Sequence, residues 1–216
     1  MGTPTKDRPV DIRSEDWREA IRQQILTLKV VVAGMISGPA TLWAVVLLSR
    51  GLPQEEPQTA LRFLPWLAAL LGALGGVLAY FWSQYLIERE FRRLVKGTWK
   101  LSPLTSKQVQ TTLAGLAEKL GDPGRLWAIY SLGFFVRVSV LEGIATLSAV
   151  LYAMVPSWIP VAVAAMVLLA IVGNYPTWLG VSEWMAQRLA RLEQERAMHA
   201  LSAAHLASGA TAAPKQ

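Results

Sequence analysis

The chain has 216 residues, of which 53% are hydrophobic and only 17% charged, against about 25% charged in an average soluble domain. Its formal charge is +6 and it has no cysteine, which excludes disulfides, thiolate nucleophiles, iron–sulfur clusters and cysteine-based zinc sites. The apolar residues fall in blocks of about 20, the length that matches the hydrocarbon core of a bilayer, and they lack the polar stripe of a soluble amphipathic helix. The expected fold is an all-α membrane protein with four transmembrane helices arranged as two hairpins, together with amphipathic cytoplasmic helices.

Residues 1–13 are polar and contain proline, and read as a disordered N-terminus. Charges interrupt the first thirty residues, so no signal peptide is expected. Lys6 stands where N-myristoylation requires Ser or Thr. The next segment, 14–97, opens with Ser14 as a helix N-cap and with Glu15 and Asp16 in the positive first turn. Trp17, Ile21, Ile25 and Leu28 share one face of this helix, which either lies on the membrane surface or runs into the first span.

That span covers about residues 30–49. It holds Gly34-x-x-x-Gly38, a GxxxG pair that leaves a flat groove for another backbone, and Pro39, which predicts a bend. A connector follows over 50–62. The second span, about 64–87, repeats small residues at Ala68, Gly72 and Gly76. The two stripes predict that spans one and two pack as a tight hairpin, with homodimerisation through either stripe as the alternative. Tyr80, Phe81, Trp82 and Tyr85 gather as aromatic side chains do at a lipid–water interface.

The second helix is expected to end near Gly97, and residues 98–125 read as a basic cytoplasmic loop. Within it, Val109, Leu113, Leu116 and Leu120 form one face of an amphipathic helix over 106–120, stopped by Gly121 and Pro123. A second transmembrane hairpin with a basic helical exit fills 126–196, with spans of about 133–155 and 158–180. Residues 197–216 read as a flexible tail.

Lysine and arginine positions set the orientation. The N-terminal segment, the middle loop and the tail hold six, eight and four of them, whereas the two opposite-side connectors hold two, Arg50 and Arg62. The positive-inside rule then places both termini in the cytoplasm of a bacterial plasma (inner) membrane.

The two hairpins resemble each other. Laying 30–46 over 135–151, the shift of 105 pairs Val31/Val136, Gly38/Gly143, Ala40/Ala145, Thr41/Thr146, Leu42/Leu147, Ala44/Ala149 and Val45/Val150. Both halves enter from the same side, so the pattern predicts a parallel tandem repeat. Gly143 thereby joins Gly34, Gly38, Gly72 and Gly76 as a candidate packing residue.

Span three is the only one with charge well inside it. Arg137 falls at the cytoplasmic boundary, where it can snorkel, and Glu142 lies deeper without that escape. The two are about 140° apart around the helix and do not make the favoured i,i+4 pair. Span four carries Asn174 and Tyr175 at a comparable depth, and Pro176 predicts a bend and a freed acceptor near Val172. A polar cluster of Arg137, Glu142, Asn174 and Tyr175 is expected.

No catalytic, cofactor-binding or metal-binding set emerges. His199 and His205 are the only histidines, both in the C-terminal segment and off a common helical face, and no phosphate-binding, nucleophile-elbow or zinc-helix motif occurs. The sequence reading is a non-catalytic accessory, assembly or scaffold subunit of a larger inner-membrane complex. Its partners are other integral membrane proteins or further copies of itself, and anionic lipids, but not nucleic acid. The alternative is a small homo-oligomeric transporter or channel with Glu142 as its proton or cation site.

Overall fold

Helix-compatible composition and three glycine stops account for the architecture. The computed structural model describes residues 15–51, 63–101 and 107–211, with side chains placed for 17–51, 63–101 and 111–202. The segment 1–13 and most of the connector 50–62 lie outside the described residues. Those described form six helices and no strand: α1 (Glu15–Arg50), α2 (Leu64–Val95), α3 (Lys107–Leu120), α4 (Asp122–Met154), α5 (Trp158–Gly173) and α6 (Trp178–Thr211).

The amphipathic N-terminal turns and the first span are one helix of 36 residues, about 54 Å long at 1.5 Å per residue. Its face of Trp17, Ile21, Ile25 and Leu28 is buried. Pro39 lies inside α1, which continues through it. α1 closes where Gly51 takes φ +77°, with its N–H on the Leu47 carbonyl at 2.9 Å. α2 closes on Gly97 at φ +70°, where Gly97 bonds Leu94 at 3.1 Å and Thr98 bonds Arg93 at 3.0 Å, the paired hydrogen bonds of a Schellman stop.

α3 ends at Leu120, where Gly121 takes φ +64°, and Pro123 sits in the first turn of the next helix, α4, which starts at Asp122. Proline is tolerated there because the first N–H groups of a helix have no internal partner. Within the segment 197–216, α6 runs on to Thr211. Alanine-rich sequence there favours helix over coil.

The helices α1, α2 and α4 are long and apolar enough to cross a membrane, and α5 with α6 passes the same test only as one broken span. The described residues thus hold three to four candidate spans. α5 alone has 16 residues, short of the ~20 that a full crossing takes.

By its contacts the chain divides into two compact units, Arg22–Glu88 with Tyr130–Thr177, and Met1–Ile21 with Arg89–Ile129 and Trp178–Gln216. In the first, α4 runs antiparallel to α2. Leu64 and Ala68 pack with Leu151 and Val155, and a side chain at Gly75 would meet Ile144. Further along the pair, a side chain at Gly133 would meet Ile87. The same α4 runs parallel to α1: Trp43 donates to the Ala145 carbonyl at 3.1 Å and Tyr152 donates to the Gly51 carbonyl at 2.7 Å. The Trp43 and Tyr152 rings also meet at a tilt of 46° with centroids 5.3 Å apart, in a cluster with Val46, Ala149 and Ala164.

The outer faces of this unit are apolar. Leu48, Leu70, Leu78, Phe81, Met166 and Leu169 are each more than half exposed, an extent of uncovered hydrocarbon that water would oppose and lipid would not.

In the second unit α3 lies close on the start of α4, since a side chain at Gly124 would collide with the Leu116 carbonyl. Leu113, Ala117, Leu120 and Leu126 are buried. Asp122 receives Arg125 at 3.1 Å and also pairs with Arg196 of α6. Phe91 is fully buried beneath two guanidinium groups, those of Arg188 at 4.9 Å and Arg191 at 5.0 Å.

Candidate functional site

Arg137 gathers neutral groups from α2 and from the end of α5. Its Nε and Nη2 donate to the Ser83 hydroxyl oxygen at 3.1 and 3.0 Å, and its Nη1 donates to Oδ1 of Asn174 at 2.9 Å. Its Cζ lies 5.2 Å from the Tyr80 ring centroid, a cation–π distance. Ser83 is fully buried and gives its own proton to the Tyr80 carbonyl at 2.9 Å, leaving its oxygen free to accept.

Asn174 is able to receive Arg137 because it caps α5. Its backbone N–H and its Nδ2 both donate to the Ala170 carbonyl, at 3.1 and 2.7 Å, and this turns Oδ1 away. The C-terminal end of a helix dipole is negative, so Arg137 is well placed there. The Val172 carbonyl expected to be free accepts the Tyr175 N–H at 3.0 Å. Pro176 lies in the break between α5 and α6. Tyr175 turns to α1, donating to the Lys29 carbonyl at 3.4 Å, and its ring lies 5.5 Å from Lys29 Nζ.

Of the four expected cluster members, Arg137 and Asn174 are joined directly and Tyr175 is next to them on the break. Glu142 stands apart. It is half-buried and makes no hydrogen bond or ion pair among the described residues. The five-residue offset from Arg137 explains this: the carboxylate leaves on a different side of α4 and meets α1 instead. A side-chain carbon on Gly38 would sit 3.9 Å from Glu142 Oε1. Its neighbour Ile144 packs opposite Gly75, near the middle of the 64–87 apolar stretch, whereas Arg137 lies opposite Ser83, towards one end.

The glycine stripes are used unevenly. Gly72 meets Val163 of α5, so that stripe serves α5 and not the expected α1–α2 seam. Gly34, Gly76 and Gly143 face open space. Around Glu142, the exposed Gly34, Ser37, Gly38 and Thr41 of α1 and Gly143 of α4 form a strip of small residues. The Ser37 hydroxyl bonds back to the Gly34 carbonyl at 2.7 Å.

Sequence reasoning missed Ser83, Tyr80 and Lys29. Ser83 was visible as a hydroxyl between aromatic residues in a span, but only the fold shows which helix needs it. Elsewhere an open cleft of about 300 Å³ is lined by Trp17, Arg18, Trp178, Ser182, Glu183 and Ala186. Among the described residues no group of three or more acidic, histidine or cysteine side chains forms a metal site.

The chain matches no known family model, and no curated protein and no solved structure is significantly similar to it. Fold and geometry alone therefore inform its function. They define a helical protein with several helices able to span a membrane.

Proposed function

We propose that this chain is a non-catalytic subunit of a larger membrane complex, with four spans in two hairpins and both termini in the cytoplasm of a bacterial inner membrane. One observation carries the reading. Near mid-depth, Glu142 has no partner within the described chain, and it borders an exposed strip of small residues. An unpaired carboxylate facing hydrocarbon is strongly disfavoured, and protonation or a hydrogen-bond donor from outside relieves it. The occupant of the strip is a membrane-spanning helix of another protein that brings a hydrogen-bond donor or a cation opposite Glu142. Small residues on the strip let that helix approach closely.

The parallel packing of α1 on α4 favours an origin by duplication. Trp43 and Ala145 are 102 residues apart, and Gly51 and Tyr152 are 101 apart, close to the repeat shift of 105. The two outward spans thus lie side by side in near-matching register.

The chain has no cysteine, so single cysteines introduced at Gly34 and Thr41, with a control at Leu74, give clean crosslinking in native membranes. The subunit reading requires a heterologous transmembrane adduct from the first two sites, reduced by Glu142→Gln. A homotypic adduct together with a Glu142-dependent ion flux would instead establish the oligomeric transporter. No adduct from the strip sinks both.

A further inference from the structure

We propose that Arg137 and Lys29 form a binding site for a phosphate-bearing anion at one edge of the apolar layer, filled in a membrane by the headgroup of an anionic phospholipid. The proposal uses residues that the Glu142 strip does not.

Three observations point there. The first is charge without counter-charge. Arg137 bonds only to Ser83 and Asn174 and faces Tyr80, and Lys29 Nζ faces the Tyr175 ring, with no carboxylate on either among the described residues. Neutral dipoles offset a guanidinium only in part in a medium of low dielectric. Second, donors remain. Ser83 and Asn174 take three of the five guanidinium N–H groups, and Arg137 and Lys29 are both half-buried, neither of them sealed from the surface. Third, the site is held in place. Bonds from α2 and from the α5 cap fix the guanidinium plane, and the Tyr175 hydroxyl ties the same break to the Lys29 carbonyl.

A free arginine on a helix end also reaches for headgroups by snorkelling. Here the side chain is already oriented, so the planar fork matches two phosphate oxygens with less ordering on binding. The Tyr175 ring keeps Lys29 beside the same break, where its ammonium adds a second charge. The exposed aromatic residues Trp82 and Tyr85 lie on α2 beside Ser83, in keeping with the headgroup level.

The test uses the full chain purified in a neutral detergent. Its unfolding midpoint is followed during titration with phosphatidylglycerol, with phosphatidylcholine of the same acyl chains, and with inorganic phosphate. The site predicts a preference for phosphatidylglycerol over phosphatidylcholine that falls about fivefold in Lys29→Gln, the worth of one basic residue at a membrane surface. It falls further in Arg137→Gln. Arg137→Lys keeps charge but loses the fork, and gives an intermediate preference.

Should Arg137→Gln not fold, Lys29→Gln and Arg137→Lys still decide. Phosphate that competes with the lipid at millimolar concentration, with the same residue dependence, upholds the site and assigns it a soluble oxyanion. A lipid preference unchanged in Lys29→Gln and Arg137→Lys overturns it and leaves Arg137 as a structural tie. An absence of response to both lipid and phosphate overturns it too. Glu142→Gln retains the preference, so this result stands or falls apart from the docking role.

Discussion

Gly38 and Glu142 face each other across α1 and α4: a carbon added to the glycine would lie 3.9 Å from the acid's Oε1. Nothing else described holds that carboxylate, so the isolated chain gains little from it. Glu142→Gln should change the unfolding free energy by less than about 0.5 kcal/mol. Trp43→Phe keeps much of the ring contact with Tyr152 but removes the bond to Ala145, and should cost about 1 kcal/mol. Thermal unfolding of both variants in one detergent checks the contrast.

The α2–α4 seam depends on Gly133. A side chain there would approach Ile87 Cδ1 and Cγ1 to 2.5 Å and the Ser83 carbonyl to 3.3 Å. Gly133→Ala should therefore destabilise by about 1–3 kcal/mol, as overpacked cores do. Adding Ile87→Ala makes room for the new methyl. A double mutant no more stable than Gly133→Ala with the cost of Ile87→Ala added would argue against this contact.

Two glycines should respond in opposite directions to alanine. Gly97 takes φ +70° to stop α2, so Gly97→Ala forces a left-handed residue at about 1–2 kcal/mol. Gly76 is helical with open space beside it, and Gly76→Ala should be neutral or stabilising by up to about 1 kcal/mol. Equal unfolding midpoints for the two variants would refute the assignment.

Asp122 joins α4 to α6 through Arg196 and to its own helix through Arg125. These side chains are partly exposed, so Asp122→Asn should cost only about 0.5–1 kcal/mol. The loss should shrink as salt rises from 0.05 to about 1 M, where the screening length falls to about 3 Å. A loss independent of salt would mean that the pair contributes through packing.

Orientation is open to direct measurement. Single cysteines at Gly51 and Ser157 should react with an impermeant thiol reagent added to intact cells, and cysteines at Lys96 and Glu193 should not. Labelling in the reverse pattern would place both termini outside.

Helices were legible because a bilayer-length apolar block and a glycine stop are local features. The buried stripe from Trp17 to Leu28 and the end of α2 at Gly97 follow from spacing alone. Partners were not legible in the same way. Gly72 reads like any small residue, and only the fold shows that it admits Val163 and not a neighbour on α1. The polar residues illustrate the same limit. Arg137 and Asn174 could be paired by depth, but depth says nothing about rotation, so Glu142 was grouped with them although it leaves α4 on another side. Ser83 escaped notice because a lone hydroxyl in a helix usually bonds its own backbone, as this one does with its proton while its oxygen serves Arg137.

The position of α4 also bears on how the chain is made. Trp43 and Gly75 belong to helices that leave the ribosome early, yet their partners Ala145 and Ile144 are among the later residues to be synthesised. During that interval the nascent N-terminal half has an indole N–H without its acceptor and a notch without its filler. Its maturation therefore waits on the arrival of α4, and a fragment that stops before Asp122 should be a substrate for membrane quality control.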